Sequence, residues 1–273
     1  GYAGTRGSFQ LCVKDLGVVT LDSSELPIIS IFTNGQAIPN DNKIDATMQI
    51  RYNGPGTITH VTDLPNGYDG HIGIEVRGAS SSGYPQTPYG LETRTADGLD
   101  LDVSLLGMPE ESDWVLLSNF NDRSLVRNTL SFKLFGDMGQ YSPRMQLAEV
   151  MLDSMYKGIY VFGEKIKRDT NRVNIAKLRP EDIEGDDVTG GYILQQNYWD
   201  PSTSFQSNYS PIDHPDFDVH FVYEYPKPDV ITEEQKTYIA SYIDSLETAL
   251  YSDDFADPEI GYRKYLDEKS FID

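Results

Sequence analysis

Residues 72–83 read IGIEVRGASSSG and join a strand pattern to a loop pattern. Apolar residues stand at positions 72, 74 and 76, which is the two-residue period of a half-buried β-strand. After Arg77 the loop consists of small residues and serines, and exposed backbone N–H groups in such a loop can cradle a phosphate. An ordinary turn fits the same residues, so the pattern alone leaves both interpretations open.

Further strands are predicted on both sides of this segment. Asn34-Gly35 ends the first of them with turn chemistry, and Met48, Ile50 and Tyr52 share one side of the second. Asp153, Ser154 and Gly158 lie in the predicted turn of a later strand pair. The predicted strands cover residues 26–32, 46–52, 113–117, 145–152, 158–167, 191–196 and 219–225.

Three helices are predicted after residue 120. The first has apolar positions between residues 125 and 138, Asn121 or Asp122 as its N-cap, and Gly139 at its C-terminal end. The second follows the capping box Thr232-Glu233-Glu234-Gln235 and keeps helical spacing to Leu250. Residues 262–272 begin a third helix. Strands followed by helices predict an α+β fold.

Composition and charge exclude several classes of protein. Among the 273 residues, 22 are Lys or Arg and 43 are Asp or Glu, so the net charge is 22 − 43 = −21. A chain this acidic repels a phosphate backbone, so we expect no nucleic-acid partner, although residues 165–179 contain a basic cluster. No apolar stretch approaches the roughly 18 residues of a membrane span. The single cysteine, Cys12, allows neither an internal disulfide nor a paired-cysteine zinc site.

Three other segments are candidates for function, each with a structural alternative. In residues 163–169, alternation puts Glu164 and Ile166 on one face and Lys165 and Lys167 on the other. This segment is either a strand end that faces a nucleotide or a strand end that is merely charged. The acidic runs at 97–102 and 182–187 lack the spacing of a twelve-residue calcium loop, so no metal site is predicted. Residues 199–218 are polar and contain prolines, which indicates a long loop that serves binding or is a surface insertion.

Several of these pieces, taken in order, resemble one family. They are RGASS at 77–81, YPQTPYGLE at 84–92, LLGMPEESDW at 105–114, DRSLVRN at 122–128, YKGIY at 156–160, EKIKRD at 164–169 and TGGYIL at 189–194. Together they resemble the spore-coat protein H-like (CotH) family over roughly residues 26–273, with residues 1–25 as a lead-in strand segment. The resemblance implies an atypical protein-kinase-like fold. Its β-rich N-terminal lobe would have helices packed on it and would be followed by part of the large lobe.

The resemblance also implies site residues and ligands. Arg77, Ser80 and Ser81 would approach the phosphates of ATP, and Glu164 and Lys165 would line the nucleotide side. Mg²⁺ or Mn²⁺ would accompany the nucleotide, and phosphate would pass to Ser or Thr of a surface or coat protein. One departure is Thr87, which stands where the family usually has lysine and supplies no charge to the phosphates. Lys165 or Lys167 is a possible substitute.

A second departure concerns the end of the sequence. In the family, the aspartates that act as base and metal ligands follow a helix like that opened by residues 262–273, so we expect them beyond Asp273. The catalytic residues are therefore unknown, and we expect the chain to be inactive alone. The alternative is a non-catalytic, pseudokinase-like module that binds a surface ligand or serves as a scaffold. The family implies an extracytoplasmic location, secreted or at the cell surface.

Overall fold

A computed structural model describes residues 19–40, 42–197 and 199–272. Cys12, Asp273 and the first 18 residues of the lead-in segment lie outside the described residues. The three α-helices are α1 (Arg127–Asp137), α2 (Glu233–Tyr251) and α3 (Glu268–Ile272). The strands are β1 (Ser23–Ser24), β2 (Ile28–Phe32), β3 (Ile44–Arg51), β4 (Thr59–His60), β5 (Tyr68–Val76), β6 (Tyr89–Arg94), β7 (Val103–Leu105), β8 (Met108–Glu111), β9 (Asp113–Ser118), β10 (Met145–Leu152), β11 (Met155–Glu164), β12 (Ile193–Gln195), β13 (Ser204–Gln206) and β14 (His220–Tyr225).

Seven strands close a barrel in the order β2-β3-β5-β6-β9-β11-β10. Neighbours in this order are antiparallel, and the barrel is closed by a parallel pair in which Ile28 lies opposite Glu149. The predicted alternations are confirmed at Met48, Ile50, Ile72 and Ile74, which have no exposed surface and belong to the barrel core. Tyr52, predicted on the same side as Met48 and Ile50, lies after the end of β3. The α+β class is also confirmed, with mostly β-structure and few helices.

A second, three-stranded sheet has the order β12-β14-β13. Helix α2 covers it through a cluster that contains Tyr223, Ile231 and Ile239. The helix begins as predicted, because the Thr232 hydroxyl accepts a hydrogen bond from the Gln235 backbone N–H and the Gln235 side chain accepts one from Thr232. Within the described residues, no helix is both long and apolar enough to cross a membrane.

The predicted bounds of several elements are wrong. The β10–β11 turn contains only Asp153 and Ser154, both with positive φ, so β11 begins at Met155 instead of 158 and ends at Glu164 instead of 167. Helix α1 begins at Arg127, since Leu125 has a φ of 63°, and Asp122 accepts from the Arg127 N–H without being the N-cap residue. The predicted glycine end is confirmed, because Gly139 has a φ of 87°.

The last two predicted segments differ from the structure in part. Strand β13 interrupts the loop predicted at residues 199–218, because it pairs with β14 in the second sheet. Residues 262–272 form a 3₁₀ turn at Tyr262–Lys264 followed by the short α3, where one continuous helix was predicted.

Candidate functional site

An open cleft of about 1150 Å³ lies between the barrel and the three-stranded sheet. The barrel contributes Val115 and Leu117 from β9 and Met145 from β10, and the sheet contributes Ile193 and Leu194 from β12. These side chains give the cleft apolar walls. The segments that follow β5 and β11 add polar and charged groups, so the cleft can hold a ligand with both an apolar and an anionic part.

The serine-rich loop forms part of the cleft wall. Gly78 has a φ of 91°, a conformation that favours glycine, and a side chain at this position would meet the Ser81 hydroxyl. A 3₁₀ turn follows at Ser80–Gly83, and the Ser82 hydroxyl donates to the Ala79 carbonyl at 2.6 Å. Ser80 and Ser82 border the cleft, whereas Ser81 does not.

Arg77 places a partly buried guanidinium in this cleft. No carboxylate of the described residues lies within 4.0 Å of it, and it forms no side-chain hydrogen bond with them. Burial lowers the pKa of Arg77, and the more distant Glu224 and Glu75 oppose this effect only in part. A cation that has lost water without gaining a partner is stabilised by an incoming anion. Arg77 is therefore a candidate anion-binding group of the cleft.

Glu164 borders the same cleft, but its carboxylate is fully engaged by the protein. It accepts hydrogen bonds from the Arg144 backbone N–H at 2.9 Å, from Arg144 Nε at 2.6 Å and from the guanidinium of Arg172. Glu164 is 1% exposed. The predicted strand alternation is wrong beyond Glu164, where the strand ends, although Ile166, which is 47% exposed, borders the same cleft.

Lys165 is the second cation of the cleft. Its ammonium lies 3.6 Å from Asp113 Oδ1, so part of its charge is already neutralised. Lys167 shares Asp113 and lies 2.8 Å from its Oδ2 and 2.6 Å from Glu111 Oε1. Burial alone would lower the pKa of Lys167, but the hydrogen bonds to Asp113 and Glu111 raise it overall. Of the two possible substitutes for a lysine at position 87, only Lys165 reaches the cleft.

Thr87 itself does not border the cleft, and its hydroxyl lies 3.4 Å from the Tyr84 carbonyl. Its neighbour Gln86 has a structural role that the sequence did not reveal. The Gln86 amide donates to the Ile159 carbonyl at 2.9 Å and accepts from the Asn119 backbone N–H at 2.9 Å. It thereby ties the loop before β6 to the middle of β11 and to the residue that follows β9.

Two groups that border the cleft were also missed. Gln195 donates from Nε2 to Glu224 Oε2 at 3.0 Å, and Glu224 is paired with Lys227 at 2.6 Å. Both Gln195 and Glu224 lie in the second sheet, more than 100 residues after Arg77, and no local pattern links them to it.

A divalent metal has no evident site in the described part of the chain. No three or more His, Cys, Asp or Glu side chains in residues 19–40, 42–197 and 199–272 converge closely enough to hold one. The described residues therefore do not fit the Mg²⁺ or Mn²⁺ that the family resemblance implies.

A protein-family model described as CotH kinase protein matches residues 74–273, from the end of β5 onward. No curated protein matches the chain. The matched region contains Arg77, the serine loop, Lys165 and both sides of the cleft.

Proposed function

The chain belongs to the CotH kinase family, and from this premise we propose that the cleft binds ATP for phosphoryl transfer to a Ser or Thr hydroxyl of a surface or coat protein outside the cytoplasm. In a kinase-like arrangement the barrel takes the place of the small lobe and α1 that of its packed helix. The end of β11 takes the place of the strand that lines the adenine pocket. The second sheet and α2 then belong to the large lobe.

One observation carries this proposal: the guanidinium of Arg77 lies in a cleft with apolar walls and has no ion-pair partner among the described residues. Phosphates need positioned cations and N–H or O–H donors, and the apolar walls suit a nucleobase. Arg77 supplies charge, Ser80 supplies a hydroxyl donor, and Lys165 supplies a second, partly neutralised cation. Glu164 does not contact the phosphates in this proposal, because its carboxylate accepts hydrogen bonds from Arg144 and Arg172.

The work of these residues is binding and orientation. Arg77 and the Ser80 hydroxyl hold the phosphate chain along one wall, and the apolar groups exclude water from the base. These residues contribute to the reaction by holding the terminal phosphoryl group in one orientation. No described residue is assigned as the base for the acceptor hydroxyl.

The test is a thermal shift of the chain with ATP, with and without Mg²⁺ or Mn²⁺. A ligand that binds only the folded state at about 100 times its dissociation constant adds about 2.7 kcal/mol, or several degrees. We expect a shift that Arg77→Ala removes and Arg123→Ala keeps. Arg123 is an exposed arginine outside the cleft, so its replacement is a matched loss of charge. No shift under any of these conditions contradicts nucleotide binding.

A second candidate function, a non-catalytic binding module, is favoured by the loop after β13. Its base is fixed to α2, because Ser207 donates to Glu247 at 2.8 Å and Asn208 to Asp244 at 2.7 Å. Its tip carries Ile212, which is 85% exposed, and Phe217, which is 61% exposed. A fixed loop that presents apolar side chains is suited to protein contacts. Absence of any nucleotide-induced shift would favour this function.

A further inference from the structure

Among the described residues, the acidic side chains that border the cleft are those of Glu164 and Glu224. Mg²⁺ in a phosphate site is usually held by one or two carboxylates together with the phosphates of the substrate. These two carboxylates therefore determine whether the cleft can hold a metal beside a bound nucleotide. Each would need an oxygen that is not already engaged by the protein.

Glu164 has both oxygens engaged. Its Oε2 accepts from the Arg144 backbone N–H at 2.9 Å, and its Oε1 accepts from Arg144 Nε at 2.6 Å and from the Arg172 guanidinium. The side chains of Glu164 and Arg172 have no exposed area. A divalent ion at Glu164 would displace a buried cation from its carboxylate, which is strongly unfavourable.

Glu224 also has both oxygens engaged. Its Oε2 accepts from Gln195 Nε2 at 3.0 Å, and its Oε1 accepts from Lys227 Nζ at 2.6 Å. A metal at Glu224 would have to compete with the ammonium of Lys227. The amides of Asn40 and Asn197 border the cleft as well, but a neutral amide does not supply the charge of a carboxylate.

Positive charge for a phosphate is available from the protein itself. Arg77 lies in the cleft without an ion-pair partner among the described residues, and Lys165 adds an ammonium that lies 3.6 Å from Asp113 Oδ1. Free ATP carries more negative charge than ATP with a bound divalent ion, so it is attracted more strongly by these two cations. A bound metal would also compete with Arg77 for the same phosphate oxygens.

We propose that the cleft binds ATP as the metal-free anion, whose phosphates take their counter-charges from Arg77 and Lys165 and not from Mg²⁺ or Mn²⁺. This inference rests on the proposed function, because it concerns the same cleft and the same ligand. Glu224 then weakens nucleotide binding, since it acts on the charge of Arg77 more strongly than Glu75 does and repels the phosphates that Arg77 attracts.

The test is isothermal titration calorimetry of the 273-residue chain with ATP, first with a chelator and then with Mg²⁺ in excess over ATP. Both titrations are made at one ionic strength of about 0.15 M, where charges more than about 8 Å apart are largely screened. The groups that border the cleft then determine the affinity more than the net charge of −21 does. A titration with Mg²⁺ alone gives the heat of metal binding elsewhere on the chain.

We expect metal-free ATP to bind, and we expect Mg²⁺ to raise the dissociation constant by about threefold or more. Glu224→Gln should bind metal-free ATP more tightly than the parent, because it removes a negative charge and keeps an acceptor for Gln195. A metal held at Glu224 predicts the opposite, a loss of the binding that Mg²⁺ supports. The matched control is Glu25→Gln, at an exposed position outside the cleft, which should leave the affinity unchanged.

An affinity of the parent that Mg²⁺ increases or leaves unchanged overturns this inference but leaves ATP binding intact. Weaker metal-free binding by Glu224→Gln, with a melt that shows a folded protein, also overturns it. The Mg²⁺ comparison uses the parent, so it decides the question even if this variant does not fold. Absence of binding both with and without metal contradicts the proposed function itself, and the inference fails with it.

Discussion

The guanidinium of Arg172 donates to the carboxylate of Glu164 inside the protein, and neither side chain has any exposed area. Arg172 also lies over the ring of Trp114 at 5.0 Å, while its Nε and Nη2 atoms have no hydrogen-bond partner in the described chain. Residues 165–172, which include Lys165 of the cleft, are thus held at both ends by one buried ion pair. The position of a cleft residue depends on charges that do not touch the ligand.

We expect Glu164→Gln to lower the free energy of unfolding by roughly 3–5 kcal/mol, because it leaves the buried charge of Arg172 without its carboxylate. Urea unfolding measures this loss. The control is Asp137→Asn, which breaks an exposed pair with Lys133 and should cost less than about 1 kcal/mol. Equal, small losses in both variants would mean that the buried pair contributes no more than a surface pair.

The ion pairs of Asp113 predict a specific dependence of the free energy of unfolding on pH. Burial by itself raises the pKa of Asp113, but the nearby Lys165 and Lys167 outweigh burial and lower it. A carboxyl with a lowered folded pKa stabilises the protein above its unfolded pKa of about 3.9, and this contribution is lost as the pH falls through the folded pKa. We expect Asp113→Asn to destabilise the protein at pH 6 and to differ less from the parent as the pH approaches 3.

Urea unfolding of the parent and of Asp113→Asn at several pH values gives this difference directly. Asp97→Asn, at an exposed aspartate outside any ion pair of the described chain, should show a difference near zero throughout. A difference between parent and Asp113→Asn that is constant from pH 6 to 3 would contradict the role of the two lysines.

The sequence predicts the parts of this fold that depend on neighbours along the chain. The alternation at Ile72 and Ile74 and the capping box at Thr232 are local, and both are confirmed. Closure of the barrel is not local, because it pairs Ile29 with Val150 through strands that are far apart in sequence. No periodicity in either strand specifies that partner.

The same distinction between local and non-local features applies to the candidate site. Arg77, Ser80 and Lys165 were predicted from two short segments and do border one cleft, whereas Ser81 does not. The prediction for Glu164 assumed that alternation continues to 167, but the strand ends at Glu164 and its side chain turns into a buried ion pair. The apolar walls come from three separated strands, so their convergence is a property of the tertiary fold.

The capping box of α2 also anchors the segment that precedes β12. Gln235 is buried and its amide also donates to the carbonyls of Arg179 and Asp182 at 2.6 and 3.0 Å. We expect Thr232→Ala to lower the free energy of unfolding by about 1 kcal/mol, because it removes the acceptor for the Gln235 N–H. Ser241→Ala, at an exposed position within the same helix, should be neutral or slightly stabilising. Chemical unfolding that ranks the two variants the other way would contradict this.

The two cations of the cleft should contribute unequally to nucleotide affinity. Arg77 has no ion-pair partner among the described residues, whereas Lys165 lies 3.6 Å from Asp113 and is 37% exposed. A phosphate gains the full charge of Arg77, but it must compete with Asp113 for Lys165. We therefore expect Arg77→Ala to weaken ATP binding by about tenfold or more, and Lys165→Ala by a smaller factor.

Asp113→Asn tests whether Lys165 contributes less than Arg77 because Asp113 competes for it, or only because it lies farther from the phosphates. Removing the competing carboxylate frees Lys165, so we expect ATP to bind this variant more tightly than the parent, provided that its melt shows a folded protein. Isothermal titration calorimetry of the four proteins at one salt concentration gives the ranking, because affinity for phosphates changes with screening. Two outcomes would contradict this explanation. A greater loss of affinity in Lys165→Ala than in Arg77→Ala would show that Lys165 is the principal phosphate contact. Weaker binding by folded Asp113→Asn would show that the pairing with Asp113 orients Lys165.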